Sequence, residues 1–331
     1  MYYLTTPFSV GFNQNMLPSY AQQVNGMSTK TNAVKHALNC EVISHVEQFA
    51  SLPPDDLLIE PLWFKPHSDA VAENDTDTFE KRLKALQAYA GNKYLLCSEF
   101  TPLRWFGKYV QQIVNTVKAV FASCEFQRQL LNAIEIDAES VVYEPVNEHL
   151  FYPAEKQDWV VAIGSPTHVK NVEAIIEIFE GLQDSGLKRI FIGSPIVWGR
   201  VTGMKNETSF NKTMRSYEQL KAVCDEHYTA SPPIFVAYIL SQAQYYLNFA
   251  YHETCCRTAM EAMLCGTSII AGKHPLWEEY PCLANGLEPN EAVKLLNNEA
   301  KPIRDAEEVR NWALKNVSYA AFRQNIEGLL K

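Results

Sequence analysis

Residues 241–271, SQAQYYLNFAYHETCCRTAMEAMLCGTSIIA, carry two carboxylates, Glu253 and Glu261, with seven residues between them. Glu261 falls near the start of a helix that Gly266 would end, and Glu253 falls in the loop before it. A carboxylate in a first helical turn can accept two hydrogen bonds from a ribose diol. The unpaired N–H groups around Cys255, Cys256 and Arg257 can hold a diphosphate at the same helix start. The loop carboxylate would then reach hydroxyls on a sugar beyond the phosphates. This one stretch can therefore grip a nucleotide sugar at three places. Read singly, the same two residues are an exposed loop glutamate and a helix-capping one.

About ninety residues earlier, WVVAIGSPTHVKNVEAIIEIFEGL reads as strand, loop and helix. Gly164 ends the strand and Lys170 stands at the turn into the helix. An ammonium there can neutralise a diphosphate leaving group as charge builds on it. A solvated lysine at a helix start is the alternative.

The elements that must position these residues alternate along the chain. In the first half, strands are expected at MYYLTT, CEVISHV, DLLIEPLWF, KYLLCSEF, AVFASC and VVYEPVN. Helices are expected at NAVKHAL, TDTFEKRLKALQAYA, GKYVQQIVNTV and EFQRQLLNAI. After a polar link, HLFYPAEKQD, the rhythm restarts with strands WVVAIG, KRIFIGS, PPIFVAY and TSIIAG. Helices interleave them, including SYEQLKAVCDEH and RTAMEAMLCG, and LSQAQYYLNFA reads as helix then strand. Strands alternating with helices indicate right-handed βαβ units and parallel sheets. The fold class is thus α/β, with two Rossmann-like domains facing across a cleft where ligands of such sheets bind. The expected division is an acceptor-side domain at 1–150, a nucleotide-sugar domain at 151–305, and a C-terminal helix at 306–331, around Trp312, crossing back onto the first.

The run Glu261-Ala262-Met263-Leu264-Cys265-Gly266-Thr267-Ser268-Ile269-Ile270-Ala271 resembles the retaining GT-B glycosyltransferases of the group 1, family 4-like type. There a Glu-x7-Glu element is followed by EAM, two residues, Gly and an apolar strand. The segment from Gly164 to Lys170 is similar to that family's strand-loop-helix, with Lys170 at the family's lysine spacing. Ser165 departs from it, because the family carries an Arg there. Half of a cationic clamp is therefore missing or supplied from elsewhere, with Arg200, Lys205 and Arg257 as candidates. The connection AVFASCEFQRQLLNAIEI to VVYEPVNEHLFYP also resembles the family, so that residues 118–331 match it in motif and residues 1–117 only in rhythm. The resemblance implies a front-face retaining mechanism on a UDP- or GDP-sugar, with no required cofactor and no essential metal.

The first domain should hold the acceptor. Its first loop, PFSVGFNQNMLPSYAQQVNGMSTK, contains only Gly11 and Gly26, of which Gly26 is the candidate for close approach to the donor phosphate. Lys30 and Thr31 could meet a phosphate, although capping of the helix by Ser28 or Thr29 explains that segment more simply. Glu99, at the carboxyl end of a strand in CSEFTPLRW, could serve as a base or a sugar contact, or pair with Arg104. His36, His45, His67 and His168 receive no catalytic role. RWFGKY (104–109) interleaves cations with aromatics and lies near KRLK (81–84), a pattern that can stack on a flipped base. Amphipathic packing explains it more economically.

The chain has 331 residues, 47% hydrophobic and 20% charged, which argues against disorder. Its net charge of -9 divides as -6 over residues 1–150 and -3 over the rest, which disfavours a broad phosphate-binding surface. Eight cysteines show no C-x-x-C and no zinc-ligand spacing, so buried thiols are expected. No apolar run spans a bilayer and the first residues lack a signal-type core, so a cytoplasmic protein without membrane insertion is expected. The acceptor would be a glycan or a hydroxymethylated DNA base, as for phage enzymes of this fold. The alternatives are a nucleotide-sugar epimerase on the same scaffold, for which no acid/base set can be placed, and a nucleotide-sugar-binding protein without turnover.

Overall fold

The computed structural model describes residues 2–5, 33–43, 46–59, 76–97, 110–194, 207–229, 231–298 and 304–331. They form two compact units, one of residues 1–145 with 319–331 and one of residues 146–318.

The first unit is built on a parallel sheet of β1 (Tyr2–Thr5), β2 (Glu41–Ile43), β3 (Asp56–Ile59), β4 (Lys93–Cys97), β5 (Ala119–Ala122) and β6 (Ala138–Val141), in the order β2-β1-β3-β4-β5-β6. Every strand pair is parallel. The strands alternate between two apolar faces because successive side chains point to opposite sides. Leu57, Ile59, Leu95 and Cys97 join one core with Phe79, Leu83 and Leu86 of α1 (Thr76–Ala88). Leu58, Tyr94, Leu96 and Phe121 join the other, with Val34, Ala37 and Leu38 of the helical segment 33–38. The short helix α2 (Val110–Val114) precedes β5, and α3 (Glu125–Ala133) follows it, started by Cys124, whose sulfur accepts from Gln127 N–H.

The second unit carries β7 (Gln157–Ile163), β8 (Lys188–Ile192), β9 (Glu226–Tyr228), β10 (Ala243–Asn248) and β11 (Ser268–Ala271), ordered β11-β10-β7-β8-β9 and parallel throughout. Helices α4 (Val172–Gly181), α5 (Glu207–Val223), α6 (Pro233–Gln242), α7 (Arg257–Leu264), α8 (Pro289–Leu296) and α9 (Ala306–Asn316) surround it. The chain runs β7 to β8 to β9 outward, then returns to place β10 on the other side of β7. The order thus reverses between β7 and β10, and a crevice opens at their carboxyl ends.

Three segments differ from the expectation. Residues 233–238 are helical within α6, not a strand. Pro233 occupies the first turn, where its missing N–H costs nothing, and Ala237, Leu240 and Ser241 make a buried stripe at helical spacing. Residues 226–228 form the edge strand β9 instead of ending a helix. Asp225 takes Arg189 of β8 in a two-point ion pair at 2.9 and 2.7 Å, fixing the start of that strand. In the third segment, β6 ends at Val141, because Val142 N–H makes the last bond to Ala122 O and Pro145 has no N–H to continue the ladder.

The C-terminal residues form two helices. Trp312 lies on α9, which packs on α7 in the second unit. The chain rejoins the first unit only at α10 (Tyr319–Leu329), where Phe322 and Ile326 enter the core beside Leu58 and Phe121. Burying two such side chains contributes about 1.5–3 kcal/mol each. Arg323 Nε also donates to Ala37 O at 2.7 Å.

Candidate active site

The reversal of strand order brings together two loops that lie far apart in sequence. At the end of β7, Gly164 N–H donates to Ile192 O at 3.0 Å. The end of β8 approaches so closely that a Cβ on Gly193 would fall 1.9 Å from Gly164 O, so only glycine fits at 193. The chain then turns through Ser165–Thr167 into a single 3-10 turn, His168–Lys170, and Asn171 takes the left-handed conformation (φ 50°) to enter α4. This short, tight path directs Lys170 to Glu253, with Nζ 2.6 Å from Oε1.

Glu253 arrives from the end of β10. Tyr251 N–H donates to Val169 O at 3.0 Å and ties the two loops together. Asn248, the last residue of β10, organises the rest. Its Nδ2 donates to Glu253 Oε1 at 3.2 Å and to Cys256 Sγ at 3.0 Å, and its Oδ1 accepts from Ala250 N–H at 3.0 Å. Glu253 is only 8% exposed, and the Lys170 and Asn248 contacts satisfy its buried oxygen. Its N–H lies 3.3 Å from His274 Nε2, and burial lowers the pKa of that ring, which favours the neutral form. Burial also raises the Tyr246 phenol and the Cys256 thiol well above their usual values, so both stay protonated beside the carboxylate.

Cys256 caps α7 with a left-handed backbone (φ 37°) and no side-chain bond, and no acidic residue stands in the first turn. Among the described residues none accepts from the N–H groups of Arg257 and Thr258. Glu261 is the fifth residue of α7 and so lies in its second turn, not its first. The helix begins at Arg257, as its sequence suggested, but Glu261 stands four residues further on, one turn past the position that a first-turn carboxylate would occupy. Glu261 is 8% exposed and accepts from Arg257 Nε at 3.1 Å. The far end of α7 is closed by Gly266 (φ 66°) and by Lys156, whose Nζ donates to Cys265 O at 2.8 Å and Ser241 O at 3.0 Å. Burial lowers the Lys156 pKa to about 8.

A cavity of about 30 Å³ lies at the carboxyl ends of β7 and β10, lined by Ser165, Lys170 and Asn248 among apolar neighbours that include Ile163, Leu247 and Phe249. It has room for a water or a single ligand oxygen. Among the described residues of this unit, four buried side-chain atoms have no hydrogen-bond partner: Ser165 Oγ, Arg257 Nη1, Trp277 Nε1 and Arg304 Nε.

The structure therefore gathers Lys170 with Glu253, Arg257 with Glu261, and Gly164 and Ser165 beside Lys170. Cys255 is buried, with its carbonyl held by Tyr280 OH at 2.6 Å. Gly26, Lys30, Thr31, Glu99, Arg104, Arg200, Lys205 and the RWFGKY segment lie outside the described residues. In KRLK, Arg82 is buried and only Lys81 and Lys84 are exposed, so the segment is no continuous cationic face. Asn248 and His274 went unnoticed in the sequence. Asn248 sits inside an apolar strand, and a polar residue that ends such a run was the available signal.

No family model matches the chain, and no curated protein matches it. Solved structures do. Anabaena Alr3699/HepE in complex with UDP-glucose is 12% identical with a TM-score of 0.68, and the match covers 100% of this chain and 99% of that one. Sucrose-phosphate synthase (tll1590) from Thermosynechococcus elongatus is 13% identical with a TM-score of 0.64, over 99% and 98%. An alpha-glucosyltransferase in complex with UDP and a 13-mer DNA containing a HMU base is 11% identical with a TM-score of 0.63, over 100% and 99%. At these identities the likeness shows the fold. Two parallel α/β sheets of this order, matched along nearly the whole chain, are the GT-B fold.

Proposed function

We propose that this chain is a retaining glycosyltransferase that takes a nucleoside diphosphate sugar, foremost a UDP-sugar, and transfers the sugar to an acceptor hydroxyl. The observation that carries the reading is the Lys170–Glu253 pair at the point where strand order reverses, beside open amides at the start of α7. Neighbours of the same fold with UDP or UDP-glucose bound support a uridine donor over a guanosine one.

In this reading the α7 amides hold the diphosphate, Glu261 the ribose diol and Glu253 hydroxyls of the donor sugar. As the bond from the anomeric carbon to the diphosphate oxygen breaks, negative charge grows on that oxygen, and the Lys170 ammonium stabilises it. The acceptor oxygen bonds to the same face of the sugar, and its proton passes to the departing diphosphate. No metal is required by these steps. The first unit takes the acceptor, a glycan or a hydroxymethylated DNA base, with Glu99 and Gly26 as its candidate contacts. The DNA-bound neighbour supports keeping the base among the acceptors.

A binding protein without turnover is the second reading, favoured by Ser165 where the family carries a cation. The test is release of nucleoside diphosphate from UDP-, GDP- and ADP-sugars, without acceptor and with glycans or hydroxymethylated DNA. Donor-specific release that Lys170→Ala abolishes is expected. Binding without release under every acceptor supports the second reading, and neither binding nor release contradicts both.

A further inference from the structure

Each cation at the site is held by one of the paired carboxylates, Lys170 by Glu253 at 2.6 Å and Arg257 by Glu261 at 3.1 Å. Arg257 stands where helix stability alone would not put a cation. It is the first residue of α7, at the positive end of the peptide dipoles, with no acidic neighbour in that turn. An arginine placed four residues before its glutamate is also the weaker orientation of such a pair. The side chain is nonetheless only 15% exposed, and its Nη1 is buried without an acceptor, an arrangement that costs stability until an anionic oxygen arrives. Ser165 Oγ, another buried atom without a partner, stands at the position where the resemblance calls for an arginine.

We infer that Arg257 supplies the second cation of the diphosphate clamp, in place of the side chain that Ser165 lacks. The inference rests on the nucleotide-sugar reading above. A guanidinium suits this role because its planar fork holds Glu261 through Nε and still offers Nη1 to a phosphate oxygen. Without donor, Glu261 neutralises Arg257. With donor, the phosphate takes up the spare donor atom, and the carboxylate is released in part toward the ribose.

Isothermal titration of the full chain with UDP and UMP, and of the wild-type chain also with GDP and ADP, tests this. The wild-type protein should bind UDP more tightly than UMP. Arg257→Gln should weaken UDP by about tenfold or more, the loss of one charge-assisted hydrogen bond, and weaken UMP less, so that the preference collapses. The Arg257→Gln/Glu261→Gln double variant, which leaves no unpaired carboxylate, should show the same collapse. Adding Ser165→Arg to Arg257→Gln should restore the preference. An undiminished preference for UDP in Arg257→Gln overturns the inference. If the wild-type chain binds none of UDP, GDP and ADP, it is the underlying nucleotide-sugar reading that fails instead.

Discussion

Lys170 Nζ lies 2.6 Å from Glu253 Oε1 although 83 residues separate them in the chain. The contact exists because β7 and β10 are neighbours only where the strand order turns back, and Tyr251 and Val169 bind their two loops backbone to backbone. Glu253 is buried and Lys170 half-buried, so the pair fixes an ion pair at the strand ends where the order of the sheet reverses.

Lys170→Met should separate the chemical role from the structural one. It leaves Glu253 with Asn248 as its remaining side-chain partner, lowering stability by roughly 1–2 kcal/mol for a pair with one half-exposed member. The rate of sugar transfer or donor hydrolysis should fall by about 10²–10³ with little change in donor affinity. Unchanged turnover in a folded variant would contradict the assignment of Lys170 to the leaving group.

Asn248→Ala removes the donors to Glu253 and Cys256 and the acceptor for Ala250 N–H together. A loss of about 1–3 kcal/mol in urea denaturation is expected, with weakened donor binding. Asn248→Asp should be worse for binding, since it sets a second carboxylate 3.2 Å from Glu253 in place of an N–H donor. Donor affinity equal to wild type in both variants would show that Asn248 does not organise the site.

Alkaline pH should destabilise the protein. Burial holds the thiols of Cys265 and Cys282 at about 12, against an ordinary 9, and pushes Cys256 up as well. Above pH 9 these thiols ionise in the unfolded chain but stay protonated when folded, so the folded state binds more protons and stability falls as pH rises. Lys156, lowered from 10.5 to about 8, works in the opposite sense between those values. Three thiols outweigh one ammonium. Urea midpoints measured under reducing conditions should drop from pH 8.5 to 10.5, and the drop should be shallower in Cys265→Ala/Cys282→Ala. A wild-type midpoint that rises over that range would contradict the account.

Much of this architecture was legible in the residues. Apolar runs such as VVAI, RIFI and SIIA announce buried parallel strands, and the Glu253 to Ala271 segment announces both carboxylates and the closing turn at Gly266. Local pattern failed where tertiary context decided. The apolar run 233–240 has strand-like composition, yet its diproline start and half-exposed face make it a helix, with Ile234 and Tyr238 left in solvent. β9 is three half-buried residues with no alternation to read, and it exists because Asp225 is fastened to Arg189. In the site, Lys170 and Glu253 were readable separately, but their pairing depends on strand order, which no local pattern encodes. Asn248 and His274 act through neighbours brought in by that same order.

The central claim is a nucleotide-sugar site built on α7 and the ends of β7 and β10, and it is tested most directly by thermal unfolding with UDP-, GDP- and ADP-sugars. A rise in melting temperature with a uridine donor, absent with the others and lost in Glu261→Ala, is the predicted result. No shift with any nucleotide sugar, or an equal shift in Glu261→Ala, would contradict it.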